Sequence, residues 1–145
     1  MTGSPDNPGL TPKAIDEIFR LIAERAHCVC KITTYFVELY NDNLVDLFWL
    51  LDNKKSGNAE PPRLDIKVDN RKMVYVRNAV IKEAYSAEEL MQLFRQGNEE
   101  RHVGATRMNA ESSRSHSIFS VMVRISYTLY LFCHGSYSVH TLSFP

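Results

Sequence analysis

The chain has 145 residues, with 17 Lys+Arg against 17 Asp+Glu, 44% hydrophobic residues and 23% charged ones. A chain of that length and balance buries enough surface for one core without disulfides or metals, which excludes a disordered or collagen-like polypeptide. Zero net charge supplies no global pull toward nucleic acid or an anionic membrane, so neither is expected as a partner.

Residues 2–12 are rich in Pro, Gly, Asn, Asp and Thr and read as a loop. It ends in a helix start, with Thr11 as the cap and Pro12 at the first helical position. Ile15, Ile18, Phe19 and Ile22 then recur at helical spacing, with Lys13, Asp16, Glu17, Arg20 and Glu24 toward water, and the helix is expected to end near Ala26. Cys28 to Tyr40 is β-branched and aromatic on both parities, the pattern of a central strand covered on both faces. Cys28 and Cys30 share one face of it, but no second cysteine pair completes a four-ligand metal set, so packed thiols are expected. With Cys133 the cysteines number three, too few and odd for a disulfide framework. The N-terminus has no basic-then-apolar leader, and a reduced cytoplasmic setting is expected.

Asn41-Asp42-Asn43 reads as a turn that caps a short helical segment over Leu44 to Leu51. Asp52 to Pro62 is a polar loop whose composition makes it the most mobile interior stretch. Leu64, Ile66 and Val68 alternate with Asp65 and Lys67, and Asp69 to Lys72 turns the chain into Val74 and Val76, a solvent-facing hairpin. Ser86-Ala87-Glu88-Glu89 is a capping box in which Glu89 reaches back to the Ser86 amide. The helix that follows carries Leu90, Leu93 and Phe94 inward, and Gly97 is expected to end or loosen it. Arg101 to Ser115 reads as an ordered polar loop. In the strand from Ser117 to Ile125, Phe119, Val121, Val123 and Ile125 lie on one face, with Ile118 and Met122 on the other. Helices and strands in this order imply an α/β sheet with helices against it.

The tail differs from the rest. Arg124 is the last charged residue, and Ser126 to Pro145 contain no Asp, Glu, Lys or Arg. At a charged fraction of about 25%, a window of that length is charge-free with a probability on the order of 10⁻³. The even composition therefore conceals two unlike pieces. The longest apolar run of the tail, Leu129 to Cys133, is far short of the ~20 residues that span a bilayer.

The densest cluster of chemistry is Asn109-Ala110-Glu111-Ser112-Ser113-Arg114-Ser115-His116. Hydroxyls, an amide and a guanidinium in an irregular loop suit a Mg²⁺-bound phosphate, because the metal wants hard oxygen ligands and phosphate oxygens accept hydrogen bonds. On composition alone a solvated Ser-rich loop is the simpler reading. A nucleophilic serine has less support, since neither GxSxG nor SxxK occurs.

That octapeptide resembles the NxxSSRSH switch I motif of the kinesin motor domain. Its approach, Glu99 to Met108, resembles the family's, as do Val37-Glu38-Leu39-Tyr40-Asn41-Asp42-Asn43-Leu44-Val45-Asp46-Leu47, Pro8 to Pro12 with the following helix, and Asp69 to Arg77. The wording is similar to the C-terminal-motor kinesin-14 group, especially its calmodulin-binding members. The resemblance covers Met1 to Ile125. It implies a partial kinesin P-loop NTPase motor domain over residues 1–125, a central mixed β-sheet flanked by helices with a small hairpin and lacking the first and last sheet elements, followed by a tail, 126–145, unlike the family.

Carried over residue by residue, the resemblance gives Ser113 the role of holding Mg²⁺ and the γ-phosphate of ATP, and puts Ser112 beside that phosphate and the attacking water. Asn109 closes onto the γ-phosphate, and Arg114 latches to a switch II glutamate. Arg71, Lys72 and Arg77 become candidates for the acidic surface of tubulin, and a solvated turn is an equally good reading of those three. The implied setting is cytoplasmic and microtubule-associated.

The family's phosphate-holding GxxxxGK(S/T) run and its DLAGSE switch II do not occur in these residues. The expectation is a piece of a motor, inactive alone, in which a strand such as Cys28 to Tyr40 lacks the partners that lie outside these residues. A non-catalytic tubulin- or partner-binding remnant is the alternative.

Overall fold

The structure is a computed structural model. It describes residues 3–4, 7–25, 28–54, 60–101, 115–133 and 136–144, with the backbone alone at 3–4 and from 127 onward. Strands β1 (Gly3–Ser4) and β2 (Asn7–Pro8) pair antiparallel ahead of helix α1 (Leu10–Ala23). Then follow β3 (Cys28–Tyr40), β4 (Asn43–Asp46), α2 (Leu47–Asn53), β5 (Asp65–Val68), β6 (Val74–Arg77), β7 (Lys82–Ala84), α3 (Ala87–Glu99), β8 (Ser115–Cys133) and β9 (Ser136–Phe144). The main sheet has the order β4-β3-β8-β9, with β7 also on β3, and β5 and β6 form a separate hairpin. Within the chain β3 has neighbours on both sides.

The residues divide into two compact units. One holds the N-terminal segment through Thr33, residues 83–91 and the chain from Met122 onward. Its buried apolar side chains are Ile15 of α1, Ile32 of β3, Ala84 of β7 and Leu90 of α3. Helix α1 starts earlier than its sequence suggests. Gly9 is the N-cap with no side-chain cap bond, and Pro12 sits in the first turn, where a missing N–H costs nothing. The helix ends at Ala23, and Arg20 bridges Glu17 and Glu24 on its exposed face. Helix α3 begins at the capping box. The Ser86 hydroxyl accepts from the Glu89 amide at 3.1 Å, but the Glu89 carboxylate accepts from the Tyr85 amide at 2.8 Å, one residue before the expected partner.

The other unit, Thr34–Lys82 with Gln92–Val121, holds the larger core. Five consecutive β3 residues, Thr34 to Glu38, are buried, the mark of a strand covered on both faces. The two-residue turn Asn41-Asp42 has φ of 46° and 62°, both left-handed, and Tyr40 pairs with Asn43. That is the primed hairpin turn which Asn and Asp tolerate. It corrects the helical reading of Leu44 to Leu51: the turn returns the chain as β4, and the cap of α2 is Asp46, whose Oδ1 accepts from the amides of Phe48 and Trp49 at 3.0 Å each. The other carboxylate oxygen accepts from the Val80 amide at 2.6 Å. Burial pushes the Asp46 carboxyl above its ordinary value, and the three amides pull the other way.

Gly97 lies in the last turn of α3, two residues before its end. A Cβ there would sit 2.5 Å from Phe36 Cδ1 and 3.3 Å from Phe48 Cε1, so the hydrogen lets the helix approach the two rings. Phe36 itself stacks on Phe94 at 5.6 Å and meets Phe119 of β8 edge-on at 5.1 Å. Gly97→Ala should therefore destabilise the chain by about 1–3 kcal/mol through overpacking, despite Ala's helix-propensity advantage of roughly 1 kcal/mol. Urea unfolding checks this, and a Gly97→Ala protein as stable as the parent contradicts it. In a Phe36→Leu background the further loss from Gly97→Ala should be smaller than in the parent, because the clashing ring is gone.

Candidate functional site

Glu38 is a carboxylate placed by a strand in the middle of an apolar core, with no exposed surface. The Ser115 hydroxyl at the start of β8 donates to its Oε1. Arg101, just after α3, lies with Nε 3.5 Å from the same oxygen. Its Nη2 donates to Ser115 Oγ at 3.4 Å and its Nη1 to Asn98 Oδ1 at 3.5 Å. The residues that flank segment 102–114 on either side therefore meet on one buried acid. A carboxylate without such partners would be costly in this position.

Asn109, Ser112, Ser113 and Arg114 lie within 102–114, outside the described residues. Ser115 of the same octapeptide is buried, and His116 is exposed. Glu38 and Arg101 were not singled out as site residues in the sequence. The available signal was an acid inside a strand apolar on both parities, which requires a buried partner.

The basic candidates lie on the β5–β6 hairpin, whose register pairs Asp65 with Arg77 and Val68 with Val74. Arg77 donates to the Asp65 carboxylate across the strands, and this hydrogen bond holds the Asp65 carboxyl below its ordinary value. Asp69 builds the connecting loop: its Oδ1 accepts from the amides of Arg71 and Met73 at 2.8 Å each. Lys72 occupies the left-handed region at φ 63°. Arg71 and Lys72 are exposed, beside exposed Ile66, Val68, Met73 and Val74. From Arg63 to Arg77 there are five basic residues (Arg63, Lys67, Arg71, Lys72, Arg77) against two acids, Asp65 and Asp69. The hairpin is a local basic patch on a chain of zero net charge.

The kinesin motor domain family matches residues 1–130. The chain belongs to the kinesin motor domain family. It is 43% identical over 122 residues to the kinesin-like protein KIN-14I of Oryza sativa subsp. japonica, covering 83% of this chain and 9% of that protein. Over the same share of this chain it is 42% identical to the kinesin-like protein KIN-14E of Arabidopsis thaliana. Among solved structures it is similar to KIF14 with ADP in complex with a microtubule, at TM-score 0.72 and 25% identity, over 99% of this chain and 39% of that one. The structure of a fast kinesin is similar at TM-score 0.65 and 27% identity, over 86% of this chain and 33% of its own. The chain thus spans about a tenth of the length of these curated relatives. The family matches the kinesin fold expected from the switch I octapeptide and the strand-turn signature.

In this kinesin-family chain the acid, the guanidinium and the hydroxyl depend on one another. Glu38→Ala should destabilise by about 3 kcal/mol, near the lower end for removing one partner of a buried charge pair, because the Arg101 side chain keeps 26% of its surface in water. Glu38→Gln, which retains an acceptor oxygen, should cost distinctly less. Denaturant midpoints that put Gln at or below Ala run against this account.

Proposed function

We propose that this chain is part of a microtubule motor in which segment 102–114 contacts the Mg²⁺-bound triphosphate of ATP. The observation that carries the reading is the Asn109 to His116 octapeptide in a chain of the kinesin motor domain family. The donor set fits the group: the Ser112 and Ser113 hydroxyls and the Asn109 amide are the hard oxygen and hydrogen-bonding ligands that Mg²⁺ and phosphate take. Bound Mg²⁺ supplies charge neutralisation at the phosphate oxygens. Ser113 would hold the metal, Ser112 would stand beside the γ-phosphate and the attacking water, Asn109 would close onto the γ-phosphate, and Arg114 would pair with a switch II glutamate. Their work is positioning and electrostatics rather than covalent chemistry. The meeting of Arg101 and Ser115 on Glu38 supports the reading, because it anchors the flanks of the segment that carries these donors.

The 145 residues by themselves contain switch I without a GxxxxGK(S/T) cradle. Loss of a single preorganised donor costs on the order of 10²–10³ in rate, so loss of a whole amide cradle removes turnover. The isolated chain should show no microtubule-stimulated phosphate release above background. Stimulated turnover by this chain alone would reject the assignment of switch I as its only nucleotide element.

The basic hairpin is proposed as the tubulin contact, its positive charge complementing an acidic surface. KIF14, similar in structure, is in complex with a microtubule. Microtubule co-sedimentation of the chain should be independent of nucleotide and weaken as salt is raised. Arg71→Glu with Lys72→Glu should reduce it about tenfold or more, whereas Arg77→Ala, already paired with Asp65, should matter less. Co-sedimentation unchanged by Arg71→Glu with Lys72→Glu would remove the hairpin assignment.

A further inference from the structure

Helix α1 turns an apolar stripe toward the sheet, but the stripe is tightly covered only at its start. Ile15 is 2% exposed, whereas Phe19 and Ile22, further along the same face, are half-buried. Beneath them lies a cavity of about 320 Å³ between α1, the first half of β3 and β7, all within one compact unit. Phe19 and Ile22 line it from the helix, Ile32 from β3 and Ala84 from β7. Side chains around an unfilled apolar space forgo dispersion contacts, and such spaces take up small aromatic molecules. The polar lining gathers on one carboxylate. Lys31 forms an ion pair with Glu83, and the Tyr85 hydroxyl donates to the other Glu83 oxygen at 2.9 Å. The charges of Lys31 and Glu83 cancel, so the pair offers no net positive charge to a phosphate. Each carboxylate oxygen has two acceptor sites, and one bond to each leaves capacity for a further donor. Tyr85, 80% exposed, adds an aromatic ring to the lining.

We propose that this cavity binds a neutral aromatic molecule of one or two fused rings that carries an N–H or O–H donor, its rings against Phe19, Ile22 and Ile32 and its donor on Glu83. The volume stands at the lower end of the ~300–1,000 Å³ of small-molecule pockets, which suits such a ligand. A nucleoside triphosphate is too large for it and finds Lys31 already paired. The site is therefore separate from the proposed ATP contact and stands or falls without it.

Two thiols of the chain report on occupancy. Cys30 lines the cavity and Cys28, two residues earlier, lies outside it, although both are free and half-buried. The full native chain is alkylated with iodoacetamide and the label at each cysteine is followed by mass spectrometry. With indole at about 1 mM as the probe, labelling of Cys30 should slow about threefold or more while that of Cys28 is unchanged. 1-Methylindole, which has the same rings but no N–H, should protect distinctly less, and ATP not at all. Ile22→Trp, which fills the cavity from α1, should abolish the effect of indole, whereas Leu21→Trp, at a site 45% exposed on the same helix, should leave it in place. The comparison of the two indoles needs no variant, so it decides the matter even where Ile22→Trp disturbs folding. Cys30 labelling indifferent to indole, equal slowing at both thiols, protection by ATP, 1-methylindole as effective as indole, or an indole effect that persists in a folded Ile22→Trp protein each overturns the proposal.

Discussion

The larger unit closes on the ring of Phe36. That ring stacks on Phe94 of α3, takes the edges of Phe48 and Phe119 at 6.3 and 5.1 Å, and leaves room on one side only because residue 97 is glycine. Each aromatic pair contributes about 0.5–1.5 kcal/mol beyond its buried area, so elements distant in sequence are tied to one β3 position. Slipping a strand by one residue would swap its faces. The packing of Phe36 therefore fixes the register of β3. Glu38, two residues on, shares its face, so the same contacts deliver the acid to Ser115 and Arg101. Thr34, two residues earlier, donates to the Ser120 carbonyl of β8 at 2.7 Å and holds the neighbouring strand in place.

Two buried carboxylates follow from that register and are accommodated differently. Asp46, opposite Val37 in the β3–β4 ladder, is satisfied by three backbone amides and fixes the start of α2 and the chain near Val80. Its carboxyl titrates above the ordinary value because dehydration outweighs the amides, so its ionisation weakens the fold as pH rises from the ordinary aspartate value through the raised one. Glu38 is held by a guanidinium and a hydroxyl from residues that flank 102–114, so its partners join parts of the chain far apart in sequence. One acid organises a local cap, and the other a long-range junction. Lys82 adds a third polar constraint, bridging Asp52 at 2.6 Å while its ammonium lies 5.2 Å from the centre of the Phe48 ring.

Strong periodicity made much of this fold readable. The bounds of β3, the inward stripe of α1, the hairpin at 65–77 and the capping box all follow from short-range rules, because alternation and capping are local. The errors arose where tertiary packing or turn handedness prevailed. Gly97 reads as a helix end and lies in the last turn of α3, but the reason for a glycine there is the nearby Phe36 ring, which no local rule contains. Asn41-Asp42-Asn43 reads as a cap, but two left-handed residues make a hairpin turn and move the cap to Asp46. For the site, the sequence supplied the donors by resemblance, whereas the Glu38 junction depends on bringing together residues up to 77 positions apart. No local rule contains that distance.

The strand-turn signature from Val37 to Leu47 looks like a functional motif when read as letters, but its polar residues are engaged in structural work. Glu38 anchors Ser115 and Arg101, Asn41 and Asp42 supply the left-handed turn, and Asp46 caps α2. The hairpin shows the reverse allocation. Its backbone loop is secured by Asp69 and its cross-strand pair by Asp65 and Arg77, and among the described residues no ion pair or side-chain hydrogen bond engages the Arg71 or Lys72 head groups. Charge that the fold does not require is charge available to an acidic partner, and it stands on a short two-stranded element whose apolar side chains are themselves largely exposed. Such a surface gains from being covered. The same physical test, whether the fold already uses a side chain, thus separates motif residues that hold the structure from those whose head groups it leaves in solvent.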